Sequence, residues 1–142
     1  MYLLDSCVCI DFMRGRLPYG YKMLKNSDPR LYAIPAIVEA ELRTGAEKSK
    51  DPVKNRRLLE TFLLPFKVVP FDSRCALKYA ALRSHLEAQG RKIGPNDMLI
   101  AATALAHDAV LVSNNDREFK RIPGLVVESW YEEDVPNWGH LA

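Results

Sequence analysis

Acidic residues stand at two places where strands of a sheet are predicted to end. Asp5 directly follows the apolar run of residues 2–4, and the polar segment 113–118 directly follows the apolar run of residues 110–112. That segment offers three candidates, Asn115, Asp116 and Glu118. Ligands of open α/β sheets bind beyond the carboxyl ends of the strands, so both places are candidates for chemistry. The structural alternatives are an N-cap role for Asp5 on a helix over residues 8–13 and an ordinary polar turn at 113–118.

Helical periodicity places two more acidic residues on inward helix faces. Glu41 shares one arc of a predicted helix with apolar or small residues, namely Ile34, Ile37, Val38, Leu42 and Gly45. The opposite, solvated arc carries Glu39, Arg43 and Glu47. Asp97 lies in the first turn of a largely apolar helix and shares a stripe with Ile100, Ala101 and Ala104. A buried salt bridge would explain Glu41, and the helix dipole would explain Asp97, without any catalysis.

Together, two acids at strand ends and two on inward helix faces predict one shared site. An ionised carboxylate inside a protein is costly unless a cation or a hydrogen-bond donor accompanies it. Carboxylate oxygens are hard ligands that suit Mg²⁺, with Mn²⁺ as the alternative. Such a site binds phosphate oxygens and lowers the pKa of a bound water. Hydrolysis of a phosphodiester is the reaction class that follows.

The elements that must position these acids alternate along the chain. Short apolar or β-rich runs predict strands over residues 2–4, 31–34, 67–69, 110–112 and 125–127. Between them, helical patterns cover residues 35–48, 53–64, 73–89 and 95–107. Alternating strands and helices predict an α/β fold with a mainly parallel central sheet.

Composition sets the wider expectations. The chain has 142 residues, of which 48% are hydrophobic, and this length predicts a single domain over residues 1–142. Neither a signal peptide nor an apolar membrane span is recognisable, so we expect a protein of the cytoplasm. The three cysteines, Cys7, Cys9 and Cys75, show no zinc-binding spacing and are expected to be reduced thiols. A formal charge of +2 does not by itself indicate a nucleic-acid partner.

Over nearly its full length the chain resembles PIN-domain toxins of the VapC family. Four motifs carry the resemblance: residues 1–5 (MYLLD), residues 40–42 followed by 45–49 (AEL, GAEKS), residues 89–97 (QGRKIGPND), and residues 111–115 with Glu118-Phe119 and Gly124-Leu125. The resemblance implies a three-layer PIN-like fold with helices on both faces of the sheet. It also implies a homodimer joined to a VapB-like antitoxin and cleavage of structured RNA such as transfer RNA.

The resemblance assigns roles residue by residue. The family's metal-binding acids correspond to Asp5 and Asp97, and its helix glutamate corresponds to Glu41. Its fourth position corresponds to Asn115, two residues after Ser113; Glu118 and Asp116 are further candidates. After Asp5 the family usually has Thr and then Asn or Ser, whereas this chain has Ser6 and Cys7. Ser6 retains a hydroxyl that can orient Asp5 or a metal-bound water, and Cys7 is expected to pack.

Three other functions remain open from the residues alone. A PIN nuclease of RNA processing would use the same acids, and a non-catalytic α/β binding domain would use strand-end acids for switching. A phosphatase with an aspartyl nucleophile would need a second acid two residues after Asp5, where Cys7 stands.

Two expectations concern what the site meets. Basic residues flank the acid-bearing segments and are candidates for RNA phosphate contacts: Arg91, Lys92, Arg117, Lys120 and Arg121. An acid-lined cleft also predicts that an inhibitory antitoxin inserts an Arg or Lys side chain.

Overall fold

A computed structural model of the chain describes residues 1–130, apart from the side chain of Pro18. Its strands are β1 (Tyr2–Leu4), β2 (Tyr32–Pro35), β3 (Lys67–Val69), β4 (Val110–Val112) and β5 (Val126–Glu128). Its helices are α1 (Ser6–Met13), α2 (Pro18–Asn26), α3 (Ala36–Glu47), α4 (Pro52–Leu63), α5 (Ser73–Ala88), α6 (Pro95–Ala106) and α7 (Asp116–Phe119). The predicted alternation of strands and helices is confirmed. Residues 131–142 of the predicted single domain lie outside the described residues.

The five strands form one parallel sheet in the order β3-β2-β1-β4-β5. From β1 the chain builds β2 and β3 on one side, and then crosses to β4 and β5 on the other. The strand order therefore reverses between β1 and β4, which pair with Leu4 opposite Val112. Crevices beyond the carboxyl ends of strands at such a reversal are the usual ligand sites of open α/β sheets. Asp5 and Ser113 are the first residues beyond these two strand ends.

The core is one hydrophobic cluster shared by the sheet and its covering helices. All four residues of β2 are buried, and because alternate side chains point to opposite faces, both faces of the sheet are covered there. The Trp130 ring packs edge-on against Tyr32. It also packs against Gly20 of α2, where a side chain would not fit because its Cβ would lie 2.7 Å from the ring. Within residues 1–130, no helix is both long and apolar enough to cross a membrane.

Two helices were not predicted, and one helix face was predicted incorrectly. Helix α2 combines an initial proline with an internal glycine, two residues typical of turns, so its sequence resembles a loop. Helix α7 has only four residues, too few for a periodic pattern. In α3 the buried residues are Val38, Leu42 and Ala46, whereas Gly45 is exposed. The buried arc is thus turned slightly from the predicted one, and Glu41 lies at its edge.

Candidate active site

Asp5 is held at the end of β1 by three neighbours. Its Oδ1 accepts a hydrogen bond of 2.8 Å from the backbone N–H of Ser6, and so caps α1. Its Oδ2 accepts one of 2.7 Å from the Ser113 hydroxyl, and the Cys7 thiol lies 3.7 Å from the same oxygen. Asp5 is only 5% exposed. The N-cap role is therefore present, and the same contacts fix a nearly buried carboxylate at the strand reversal.

Ser113 connects the ends of β1 and β4. Its side chain is fully buried, donates to Asp5, and accepts a hydrogen bond of 2.9 Å from the backbone N–H of Asn115. The backbone N–H of Asp5 in turn donates to the carbonyl of Val112 at 3.0 Å. Ser113, which the sequence predicted to support the site, thus links Asp5 to the segment that carries Asn115 and Glu118.

The side chains of Asp97, Asn115 and Glu118 meet beside this link. The Asn115 Nδ2 donates to Asp97 Oδ2 and to Glu118 Oε2, both at 3.2 Å. Burial, followed by the negative charges of Asp5, Glu118 and Glu41, raises the pKa of Asp97 to about 6. Asp97 therefore lies within electrostatic range of Asp5, Glu41 and Glu118.

Glu41 reaches the site from α3 and carries an unsatisfied oxygen. Its Oε2 lies 3.5 Å from the Asn96 amide, while its Oε1 is buried without a hydrogen-bond partner. Burial raises the pKa of Glu41, the charge of Asp5 adds to this, and the side chains of Asn96 and Ser6 oppose it. A partnerless buried carboxylate oxygen is costly unless a cation or donor approaches it.

The donor set fits a hard divalent cation, although its side chains are not gathered for one in this structure. Among residues 1–130, no three His, Cys, Asp or Glu side chains lie together in an arrangement that could hold a metal ion. The available donors are carboxylate oxygens, of which Glu41 Oε1 lacks a partner. Oxygen donors of this type are those that Mg²⁺ and Mn²⁺ prefer.

Asp116 is paired with a lysine side chain. Its carboxylate forms an ion pair of 3.1 Å with Lys120, one helical turn further along. On a helix, the side chains of residues two positions apart point about 160° away from each other, so Asp116 and Glu118 face different sides of α7. Of the two alternatives, the structure brings Glu118 to the site and not Asp116.

Cys7, which was expected only to pack, also contacts polar groups of the site. Its sulfur accepts a hydrogen bond of 3.4 Å from the backbone N–H of Asn114, in addition to its contact with Asp5. Burial and then the charge of Asp5 raise the pKa of the Cys7 thiol to about 11. The thiol stays protonated at neutral pH and is a weak donor beside Asp5.

Asn96, which approaches Glu41, is the other residue of the site for which the sequence predicted no role.

The five basic residues predicted to contact RNA are all exposed: Arg91, Lys92, Arg117, Lys120 and Arg121. The first two precede Asp97 in the segment between α5 and α6, and the other three lie in or just after α7, which carries Glu118. They therefore flank the acid-bearing segments, as expected from their positions in the sequence.

Comparison with known proteins identifies the family. The PIN domain family matches residues 2–125. Ribonuclease VapC2 of Rickettsia felis is 40% identical over 135 residues, which cover 92% of this chain and 98% of that protein. The chain belongs to the VapC family of PIN-domain proteins. Another VapC relative, the tRNA(fMet)-specific endonuclease VapC of Shigella flexneri, is 33% identical over 91% of this chain and 97% of its own length.

A solved VapC structure has the same fold. The crystal structure of VapBC2 from Rickettsia felis, bound to a DNA fragment from the VapBC2 promoter, superimposes on this chain with a TM-score of 0.85. The match covers 91% of this chain and 98% of that one, at 38% identity. The PIN-like arrangement of a parallel sheet covered by helices is thereby confirmed.

Proposed function

We propose that this VapC-family chain is an endoribonuclease toxin that hydrolyses phosphodiester bonds in RNA with the help of Mg²⁺ or Mn²⁺. The observation that carries the proposal is a hydrogen-bonded chain beyond the ends of β1 and β4: Ser113 joins Asp5 to the backbone of Asn115. The Asn115 side chain in turn joins Asp97 to Glu118. Membership of a family whose named relatives are ribonucleases supports the same reaction. The direct test is cleavage of RNA by the purified protein with and without divalent metal.

Each acid has a proposed role. Asp5 and Asp97 would hold the cation, since the fixed Asp5 carboxylate and the unfavourably ionised Asp97 both gain from a positive charge. Glu118 would add negative charge on the α7 side. Glu41 Oε1, which lacks a hydrogen-bond partner, would accept a proton from the attacking water. When bound, the cation would supply Lewis acidity toward the phosphate oxygens.

The proposed substrate is a structured RNA such as transfer RNA. The Shigella flexneri relative is named for specificity toward tRNA(fMet), which supports this class of RNA. The exposed basic residues beside the acid-bearing segments give the substrate phosphates positive partners. These basic residues do not select an RNA sequence, because phosphate contacts position the nucleic acid and do not read its bases.

Removing this basic group should weaken RNA binding and flatten its dependence on salt. For every phosphate that is no longer neutralised, the slope of log affinity against log salt concentration should decrease in magnitude by roughly 0.7 to 0.9. The measurement is a salt series of binding titrations on the variant with all five residues changed to alanine, in EDTA so that RNA stays intact. A control removes five exposed basic residues elsewhere: Lys50, Lys54, Arg57, Lys67 and Lys78. If both variants bind with the wild-type slope, the basic group is only a solubilising surface.

We further propose that a VapB-like antitoxin covers the site and that the toxin is a homodimer. The Rickettsia felis structure contains a VapBC pair, which supports a partner of this kind. A groove of about 310 Å³ also opens beside Glu41. Apolar side chains of α1, α3 and α4 line it, chiefly Ile10, Met13, Leu42, Leu58 and Leu59, and Glu41 also contributes to its wall. An amphipathic segment with one basic residue matches this combination.

Changing Leu58 to Asp should weaken antitoxin binding without altering RNA cleavage. Leu58 lines the groove and is 54% exposed, so its substitution does not disturb the core. A matched control is Leu77→Asp, because Leu77 is 74% exposed and does not line this groove. Because the proposed basic side chain competes with metal, antitoxin affinity should also fall as Mg²⁺ rises. Equal affinity of both variants, with no effect of Mg²⁺, would contradict this mode of inhibition.

A further inference from the structure

The amide of Asn115 lies between two carboxylates of the site. Its single nitrogen, Nδ2, is 3.2 Å from both Asp97 Oδ2 and Glu118 Oε2, and it carries two hydrogens, one for each. With the amide turned over, Oδ1 would face both acids, and no hydrogen bond could form with either ionised group. The carboxylates therefore determine the orientation of this side chain.

The position of Asn115 in the chain does not explain this orientation. Asn115 is the N-cap residue of α7, and asparagine is among the best residues at that position. However, its side chain makes no capping hydrogen bond. Its backbone N–H instead donates to Ser113, whose hydroxyl donates to Asp5. The Asn115 side chain thus bonds to Asp97 and Glu118. Its backbone is tied through Ser113 to Asp5.

We propose that Asn115 is a positioning residue that holds Asp97 and Glu118 together while no metal is bound. The inference rests on the proposed function, which makes these acids part of a metal site. Two negative charges side by side repel, and two charge-assisted hydrogen bonds from one amide offset that repulsion. An aspartate here would remove both donors and add a third negative charge. The substitution would therefore lower the stability of the metal-free protein and increase its affinity for a cation.

The first test is the melting temperature in EDTA of Asn115→Asp, Asn115→Ala and the control Asn114→Asp. Asn114 is adjacent and exposed, and its aspartate adds the same charge outside the pair of acids. We expect Asn115→Asp to melt roughly 3 to 8 °C below the wild type, Asn115→Ala to lose less, and the control to stay close to the wild type. If Asn115 served only as a helix cap, Asn115→Asp would melt like the wild type, since aspartate caps equally well. That result would overturn the proposal.

The second test repeats the melts over a Mg²⁺ series. Asn115→Asp should gain more degrees than the wild type and reach half of its gain at a Mg²⁺ concentration several-fold lower. The double variant Asn115→Asp with Glu118→Gln should regain most of the loss in EDTA, because one of the three charges is gone. If the double variant melts no higher than Asn115→Asp, the pairing of Asn115 with Glu118 is wrong. The same conclusion holds if Asn115→Asp does not fold and the added Glu118→Gln does not restore folding.

The two proposals fail in different ways. If the wild type gains no stability from Mg²⁺ or Mn²⁺, the metal site is wrong, while the order of melting temperatures in EDTA still decides the role of Asn115. If the wild type responds to metal but Asn115→Asp equals Asn114→Asp in EDTA, only the role of Asn115 is wrong.

Discussion

Replacing Asp5 or Asp97 by Asn is expected to abolish metal-dependent RNA cleavage while leaving the metal-free protein as stable as the wild type or more stable. At an effective dielectric constant between that of water and about 20, a close pair of carboxylates costs about 1 to 4 kcal/mol. The pKa of Asp97, raised to about 6, has the sign expected for such repulsion together with burial. Asparagine keeps the shape of the side chain and one acceptor oxygen, so the bond from the Ser6 N–H to residue 5 can persist.

Thermal melts with and without Mg²⁺ or Mn²⁺, run beside an RNA cleavage assay, measure both parts of this prediction. Asp72→Asn is the matched control, because Asp72 caps α5 through the Cys75 N–H as Asp5 caps α1, and it is not among the site acids. It should cleave RNA at the wild-type rate. A variant of Asp5 or Asp97 that melts lower without metal and still cleaves RNA would show that these acids are only structural.

The second large effect is a contrast between two acids of α7. Glu118→Gln should lose most RNA cleavage, because Glu118 contributes negative charge beside Asp97. Asp116→Asn should retain nearly all of it, because Asp116 is paired with Lys120 and faces a different side of α7 from Glu118. Its loss of stability should also be small, since exposed i,i+4 ion pairs contribute about 0.3 to 0.5 kcal/mol.

The measurement is the cleavage rate of both variants at saturating metal, with melting temperatures to confirm folding. Because both substitutions remove one charge from the same short helix, a difference between them reflects position and not net charge. Equal loss in the two variants would mean that Asp116 shares the site, and loss in Asp116→Asn alone would reverse the assignment of the two residues.

The sequence was sufficient to predict where the acid-bearing strands end and, apart from a small rotation of α3, which helix faces point inward. Asp5 and Ser113 could be placed because each follows a short apolar strand, and β1 and β4 proved to be neighbours. Glu41 was separated from Glu39 by helical periodicity, and the structure pairs Glu39 with Arg43 on the outer side of α3. The assignment of Glu41 depends on a repeat pattern that a helix as long as α3 displays in full.

The remainder of the site depends on short elements and on contacts between elements. Periodicity cannot assign faces in the four residues of α7, so the choice between Asp116 and Glu118 stayed open until the structure separated them. The approach of Asn96 to Glu41 depends on how α3 and α6 meet, which no local pattern records. The orientation of the Asn115 amide likewise follows from two acids that lie 18 and 3 residues away in the chain.

The most direct test of the central claim is cleavage of a structured RNA, such as transfer RNA, by the purified chain in EDTA and after addition of Mg²⁺ or Mn²⁺. We predict internal cleavage only with metal, a melting temperature that rises with the same metal, and loss of both effects in Asp97→Asn. Cleavage that persists in EDTA, or Asp97→Asn protein that cleaves as fast as the wild type, would contradict a metal-dependent endoribonuclease built on these acids.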